Sequence, residues 1–186
     1  MINSLHKNNI KVIMDVVYNH VADTTNLENI SEFYYFRTDY KGRYTNGSGC
    51  GNELATERPM VKKLIIDSIK HWVENYKVDG FRFDLMGLLD AQTVMSGYEK
   101  CAEIKKDVLF IGEGWKMYNG EKGTVGMDQN YMTKTEKVAV FNDEFRDLAK
   151  AGGMSEAGQG FLTGKKVSIP DLFCNCSGKP VHNYSV

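Results

Sequence analysis

The sequence lacks net charge: 23 basic and 24 acidic residues among 186 give a formal net charge of −1. Proteins that bind nucleic acid or an anionic membrane surface usually carry a surplus of lysine and arginine. We therefore expect neither a nucleic acid nor a membrane as a partner.

Long apolar runs are also missing. No segment approaches the roughly 20 consecutive apolar residues that a bilayer span needs. Residues 1–10 lack the basic and then apolar plan of a secretory signal. The sequence favours a cytoplasmic protein, unless a signal lies in a part of the protein that precedes this segment.

Cysteines at zinc-type spacing are absent as well. Cys174 and Cys176 form a C-x-C pair, which can ligate a metal or pair with a partner, while Cys50 and Cys101 stand alone. Without a second pair, free thiols in a reducing compartment are the favoured interpretation. We expect neither a bound metal nor a cofactor.

The residues that are present indicate one globular domain of alternating strands and helices. A composition of 42% hydrophobic and 11% aromatic residues can fill a sizeable core. Apolar, β-branched runs predict four buried strands, at 11–17, 78–85, 107–115 and 138–143. Residues 1–10 are predicted to be the end of a helix. Further helices are predicted over 59–76, roughly 91–106 and 144–151, and a weaker one within 128–137.

The helix over 59–76 shows the clearest period, and Asp90 is expected to cap the helix that follows it. The helix over 59–76 has an apolar stripe that is predicted to face the core, which comprises Val61, Leu64, Ile65, Ile69, Trp72, Val73 and Tyr76.

Residues 21–58 show neither the hydrophobic period of a strand nor that of a helix. They contain six aromatic residues and a segment rich in glycine and asparagine at 46–52. A loop of this length inside a compact domain is usually functional or disordered, and the aromatic residues argue against disorder. We expect an ordered loop over a site. Residues 181–186 are a possible start of another strand.

Alternating strands and helices predict a parallel sheet, either open or closed into a barrel. Neither G-x-G-x-x-G nor a P-loop follows the first strand, which favours the barrel. Functional groups gather at the carboxyl ends of such strands. The polar residues predicted at those ends are Asp15, His20, Arg82, Asp84 and Glu113.

Two carboxylates at neighbouring strand ends suit the hydrolysis of a glycosidic bond with retention of configuration. The arginine at 82 shares a face with Asp84 and favours its ionised form, so Asp84 fits the attacking group. Glu113, beside an apolar wall such as Trp115, fits the group that delivers a proton. Alternatively, Arg82 and Asp84 form a structural ion pair, or the polar residues bind a metal ion, although an arginine on the same face would repel a cation.

Three motifs, DVVYNH (15–20), DGFRFDLMG (79–87) and GEGW (112–115), resemble signature regions of the α-amylase superfamily of glycoside hydrolases. With GNELATERPMVKKLIIDSIKHWVENYKV (51–78) and VFNDEFRD (140–147), they are most similar to type I pullulanases, which hydrolyse α-1,6 bonds in pullulan, glycogen and branched starch. The resemblance implies an α-glucan substrate and a (β/α)8 TIM barrel.

The resemblance implies a role for individual residues. Asp84 matches the nucleophile of the family and Glu113 its general acid/base. Arg82 matches the residue that orients the nucleophile. The remaining substrate-binding positions are expected at Asp15, Asn19, His20 and Trp115.

The resemblance is also incomplete. The family has a third carboxylate in a His-Asp pair, which does not occur here and is expected after Val186. The chain matches roughly strands 3 to 6 and the start of strand 7. Residues 1–186 are therefore predicted to be a fragment of an α/β barrel domain that lacks the remainder of its barrel and is inactive alone. An α-1,4-glucan hydrolase and an inactive glucan-binding fragment are the alternatives.

Overall fold

The computed structural model describes residues 1–151 and 158–177 of the chain. In this part, four strands form one parallel sheet, and each strand pairs with the next one in sequence. The strands are β1 (Ile13–Val16), β2 (Gly80–Phe83), β3 (Leu109–Gly112) and β4 (Val138–Val140). The predicted α/β fold with a parallel sheet is confirmed.

The helices occupy most of the predicted segments. They are α1 (Ile2–Lys7), α2 (Thr25–Glu28), α3 (Pro59–Tyr76), α4 (Ala91–Ile104), α5 (Asp143–Lys150) and α6 (Ile169–Cys176). Short 3-10 helices cover Met86–Leu88, Gln129–Lys134 and Phe161–Thr163. No helix within 1–151 or 158–177 has both the length and the apolar character needed to cross a membrane.

One face of the sheet is covered by α3 and α4. Phe81, Phe83 and Phe110 are fully buried there, and the rings of Phe81 and Phe110 meet edge to face at 5.5 Å. Ile69 of α3 and Val94 of α4 pack against them. Burial of these large apolar side chains is the main force that holds the helices on the sheet.

The cap of α4 is confirmed. Asp90 stands immediately before the helix, and its carboxylate accepts a hydrogen bond from the Thr93 amide at 2.9 Å. This contact satisfies an amide that has no partner within the first helical turn.

Two details of the prediction were wrong. Leu64 and Tyr76 of α3 are 46% and 48% exposed, because the helix buries only a narrow line four residues apart. The period of the strand predicted over 78–85 places Val78 on the same face as Arg82 and Asp84, but Val78 is buried, since the strand begins only at Gly80. The helix predicted within 128–137 is present as the 3-10 helix Gln129–Lys134.

The other face of the sheet is open. Ile13 of β1 and Leu109 of β3 are 40% and 46% exposed, and Val17 and Phe141, which follow β1 and β4, are exposed as well. The prediction of buried strands therefore holds for one face of this sheet. Polar side chains lie among these apolar ones at its carboxyl end.

The loop over 21–58 is ordered, as predicted. Phe36 and Leu54 pair across it and are buried with Tyr35 against Val61 and Ile65 of α3. Most of its aromatic residues therefore pack into a small second core. The possible strand at 181–186 lies outside the described residues.

Candidate active site

The register of the sheet brings the predicted polar residues together. Asp15 of β1 lies beside Arg82 of β2, so these two side chains point to the same open face. Asp84 and Glu113 follow the last residues of β2 and β3. Their amides still bond the neighbouring strands, from Asp84 to the Val16 carbonyl at 3.0 Å and from Glu113 to the Phe83 carbonyl at 3.2 Å.

The guanidinium of Arg82 bridges three carboxylates. Its Nη1 donates to Asp15 Oδ1 at 2.9 Å and to Asp84 Oδ1 at 3.2 Å, and its Nη2 donates to Glu113 Oε1 at 2.6 Å. Burial opposes the charge of Arg82, but the hydrogen bond that Arg82 donates to Asp15 and the charges of Glu113 and Asp15 outweigh it and raise the arginine pKa. One cation therefore links the ends of β1, β2 and β3.

Asp84 is oriented through its second oxygen. Asn19 Nδ2 donates to Asp84 Oδ2 at 3.0 Å and to the Asp84 carbonyl at 2.9 Å. The amide oxygen of Asn19 lies 2.6 Å from His20 Nδ1, which closes a chain from the imidazole to the carboxylate. Asn19 is itself buried. The carboxylate of Asp84 therefore has one preferred direction.

Glu113 accepts on both of its oxygens. Besides Arg82, the Leu85 amide donates to Glu113 Oε2 at 3.0 Å, and the Gly87 amide donates to the Glu113 carbonyl at 2.9 Å. Leu85 has a φ of 41°, a left-handed conformation that is strained for a branched side chain. The turn after β2 is thus bent so that its amides face Glu113.

The Glu113 carboxylate is bound by polar groups, the Arg82 guanidinium and the Leu85 amide. Glu113 and Trp115 border the same cavity of about 210 Å³, together with Phe141, Asp143 and Arg146. The guanidinium of Arg146 lies 5.8 Å from the centre of the Trp115 ring. Trp115 is thus a neighbour of Glu113 at this cavity and not one of its hydrogen-bond partners.

Close packing leaves no room for a side chain at either of the two glycines that flank Glu113. A Cβ at Gly112 would lie 2.7 Å from the Met86 Cβ, and one at Gly114 would lie 2.6 Å from the Val140 Cγ1. Glycines beside a charged residue suggest that another group approaches the backbone closely, and here that group is a neighbouring segment of the protein itself.

Sequence reasoning did not identify Asp143 and Arg146, two charged residues in the first turn of α5, as neighbours of the site. Asp143 accepts a hydrogen bond from Gln129 Nε2 at 2.9 Å and pairs with Arg146 Nη1 at 2.9 Å. Burial raises the pKa of Asp143 although the charge of Arg146 lowers it. The motif VFNDEFRD contains both residues, but no spacing rule shows that they border a cavity with Glu113.

The carboxylates at the strand ends converge on Arg82. Within residues 1–151 and 158–177, no three His, Cys, Asp or Glu side chains are grouped in a way that would hold a metal ion. The arrangement presents two carboxylates at adjacent strand ends, held by one cation and facing an open surface.

Comparison with known proteins confirms the resemblance seen in the three motifs. The chain is 39% identical over 184 residues to Pullulanase A of Streptococcus pneumoniae serotype 4, an alignment that covers 98% of this chain and 14% of that protein. No protein-family model matches the chain.

Solved structures agree with this result. A product complex of a multi-modular glycogen-degrading pneumococcal virulence factor, SpuA, superimposes with a TM-score of 0.92 at 39% identity, over 97% of this chain and 19% of that one. Type I pullulanase of Bacillus subtilis in complex with maltose gives a TM-score of 0.82 at 40% identity, over 86% of this chain and 23% of that one. The chain thus spans a quarter or less of the length of these proteins.

Proposed function

We propose that this segment belongs to the catalytic domain of a pullulanase-type glycoside hydrolase, which cleaves α-1,6-glucosidic bonds in pullulan, branched starch or glycogen with retention of configuration. The observation that carries the proposal is the bridge from Arg82 to both Asp84 and Glu113. Because the segment spans only part of its relatives, the activity is proposed for the full-length protein that contains it.

The sheet would form part of a (β/α)8 barrel. Its four strands are parallel and lie in sequence order, as strands do around a barrel. We assign them to strands 3 to 6 and residues 181–186 to the start of strand 7, with 1–186 as one piece of a single domain. The open face with Ile13 and Leu109 would then be the barrel interior.

Asp84 would be the nucleophile. A retaining hydrolase needs a carboxylate that attacks the anomeric carbon and forms a glycosyl–enzyme intermediate. Both oxygens of Asp84 accept hydrogen bonds, from Arg82 and from Asn19, which fix the orientation of the carboxylate. Orientation of this kind lowers the barrier to attack.

Glu113 would be the general acid and then the general base. Retention requires the two carboxyl groups at about 5–5.5 Å, and a guanidinium that touches both keeps them within the reach of one side chain. Both oxygens of Glu113 are occupied as acceptors in this arrangement. We infer that the contact between Arg82 and Glu113 opens when substrate binds, so that Glu113 can reach the leaving oxygen.

The neighbouring residues would bind the sugar. His20 would contact the sugar at the cleavage site, and Asp15 and Asn19 would shape that region. Trp115 would offer an aromatic face to a ring, since sugar rings pack well on aromatic side chains. The maltose complex of the Bacillus subtilis relative supports an α-glucan as the substrate class.

The full-length protein tests the proposal. We expect it to release reducing sugar from pullulan and to produce first the anomer with the configuration of the substrate, as followed by NMR. A linear α-1,4-glucan, which has no branch points, is the matched control substrate and is expected to react much more slowly.

Three outcomes would contradict this function. Faster hydrolysis of the linear glucan would favour an α-1,4-glucan hydrolase. Glucan binding by calorimetry with no release of sugar would favour an inactive binding protein. Formation of the opposite anomer would exclude a retaining mechanism.

A further inference from the structure

A second arginine, Arg37, lies in the loop over 21–58 and is far more buried than Arg82. Its side chain is 4% exposed, and those of its partners Glu53 and Glu57 are 0% and 2% exposed. Burial opposes ionisation of Glu57, but the hydrogen bonds and charge of Arg37 outweigh it and lower the glutamate pKa. The pair is therefore held as buried charges.

The guanidinium of Arg37 bonds in several directions. Nε and Nη2 both donate to the carboxylate of Glu57, with Nη2 2.8 Å from Oε2, and Nη2 also donates to Thr56 Oγ1 at 3.2 Å. Nη1 donates to the Leu88 carbonyl at 2.9 Å. Its planar face lies 4.6 Å from the centre of the Tyr118 ring.

These partners come from three separate loops. Glu57 is in the loop after β1, Leu88 is in the turn after β2, and Tyr118 is in the loop after β3. The same loops are tied to each other beside the arginine: the Asp90 amide donates to Thr56 Oγ1 at 2.7 Å. A single side chain thus connects the segments that follow the three strands of the candidate site.

The contact with Leu88 leads directly to Glu113. Leu88 ends the 3-10 helix Met86–Leu88, and its amide donates to the carbonyl of Leu85 at 2.9 Å. Leu85 is the strained residue whose amide binds Glu113 Oε2. A left-handed leucine persists only where its surroundings fix it, and the bond from Arg37 anchors the far end of this short turn.

A purely stabilising role explains the cluster less well. Buried ion pairs usually add little net stability, because the loss of hydration offsets their attraction, and apolar side chains of similar volume often serve as well. Apolar side chains, however, give no directed bond to a carbonyl such as that of Leu88. The fork of a guanidinium supplies such bonds in several directions at once.

We propose that Arg37 is a positioning residue, whose buried guanidinium fixes the turn after β2 and thereby holds the Leu85 amide against Glu113. The inference rests on the proposed function only where it concerns the rate. The arrangement of the turn itself is independent of the reaction.

The variant Arg37→Lys in the full-length protein tests this inference, because lysine keeps the charge but cannot reach all of these partners. We expect kcat on pullulan to fall about 10- to 100-fold, as when a reacting group is misplaced by a fraction of an ångström to an ångström, with little change in KM.

Arg43→Lys is the matched control. Arg43 lies in the same loop, but it is 70% exposed and pairs only locally with Asp39. We expect its rate to equal that of the wild type. If Arg37→Lys does not fold, Glu57→Gln is the second variant, because it keeps the side-chain volume while it removes the charge and replaces one acceptor oxygen by an NH2 group that cannot accept from Arg37.

Hydrogen exchange gives a readout that needs no activity. The amides of 85–89 should exchange faster in Arg37→Lys than in the wild type, while those of α4 keep their protection. A wild-type protein without hydrolase activity would contradict the proposed function but leave this exchange test in place. Unchanged exchange at 85–89, or a loss of rate fully explained by a smaller folded fraction, would overturn the role of Arg37.

Discussion

Two arginines of this chain bind carboxylates at the same end of the sheet, but one of them is buried and the other is partly exposed. Arg37 is 4% exposed, and its guanidinium is enclosed by loop residues and an aromatic ring. Arg82 is 25% exposed and lies on the open face, where its three carboxylate partners are 22% to 68% exposed.

The difference separates a fixed ion pair from one that can exchange. A buried carboxylate that loses its cation is left uncompensated, which is strongly unfavourable, so Arg37 and Glu57 stay together. Carboxylates that water or a sugar hydroxyl can reach have other partners available, so Arg82 can release Glu113 during a reaction. We infer that Arg37 holds the loops while Arg82 takes part in the chemistry.

The largest loss of rate among three substitutions is expected for Glu113→Gln. Removing a general acid typically costs about 10²- to 10⁴-fold in rate, and we expect a loss of that size on pullulan, measured as the release of reducing sugar by the full-length protein. A substrate whose leaving group needs no proton, such as an α-maltosyl fluoride, should be cleaved with a much smaller loss in the first step. Equal losses on the two substrates would argue against the acid role.

A smaller loss is expected for Arg82→Lys, because lysine cannot span three carboxylates in the geometry of a guanidinium. We expect the rate on pullulan to fall about 10- to 100-fold, and the midpoint of thermal unfolding to stay near that of the wild type, since the site is partly exposed. Arg37→Lys should lower that midpoint. A reversed pattern, in which Arg82→Lys destabilises the protein and Arg37→Lys does not, would contradict the distinction between the two arginines.

The smallest effect on rate is expected for Asp79→Asn, at the opposite end of the strands. Asp79 accepts from the Val12 amide at 2.7 Å and pairs with His6 at 2.8 Å and Lys105 at 3.2 Å. Burial opposes its ionisation, but the bonds from these groups outweigh it and lower the Asp79 pKa. These contacts of Asp79 should contribute to the stability of the fold and not to the reaction.

The sign of that contribution follows from the lowered pKa. A depressed folded-state pKa gives stability that is present above the unfolded value, near 4, and is lost as the pH falls through the folded value. Asp79→Asn should therefore unfold at a lower temperature than the wild type at pH 7, and the difference should shrink below about pH 4. A difference that grows towards acid pH would have the wrong sign for this pairing.

Much of the fold was predictable, because periodicity reports burial directly. The spacing of Val61, Ile65, Ile69 and Val73 identified α3, and the alternation of Phe81, Arg82 and Phe83 identified the two faces of β2. The sequence pattern located the helix Gln129–Lys134 but did not show that it is a 3-10 helix, since the two helix types have similar spacing over one or two turns.

The site was predictable where it depends on strand ends and not where it depends on loops. Parallel strands align their carboxyl ends, so Asp15, Arg82 and Glu113 were expected at one edge. The role of the Leu85 amide was not visible, because a left-handed leucine has no sequence signal. Contacts between distant loops, such as Arg37 with Leu88, have no local pattern either.

The central claim is that Asp84 attacks the sugar, and the identity of the labelled residue tests it most directly. A fluorinated α-glucosyl fluoride that forms the glycosyl–enzyme intermediate quickly and releases it slowly would be incubated with the full-length protein, followed by proteolysis and mass spectrometry. We predict that the sugar is attached to the carboxylate of Asp84 and that Asp84→Asn takes up no label. A sugar on Glu113 or on another residue, or an Asp84→Asn protein that still hydrolyses pullulan at a rate close to that of the wild type, would contradict the account.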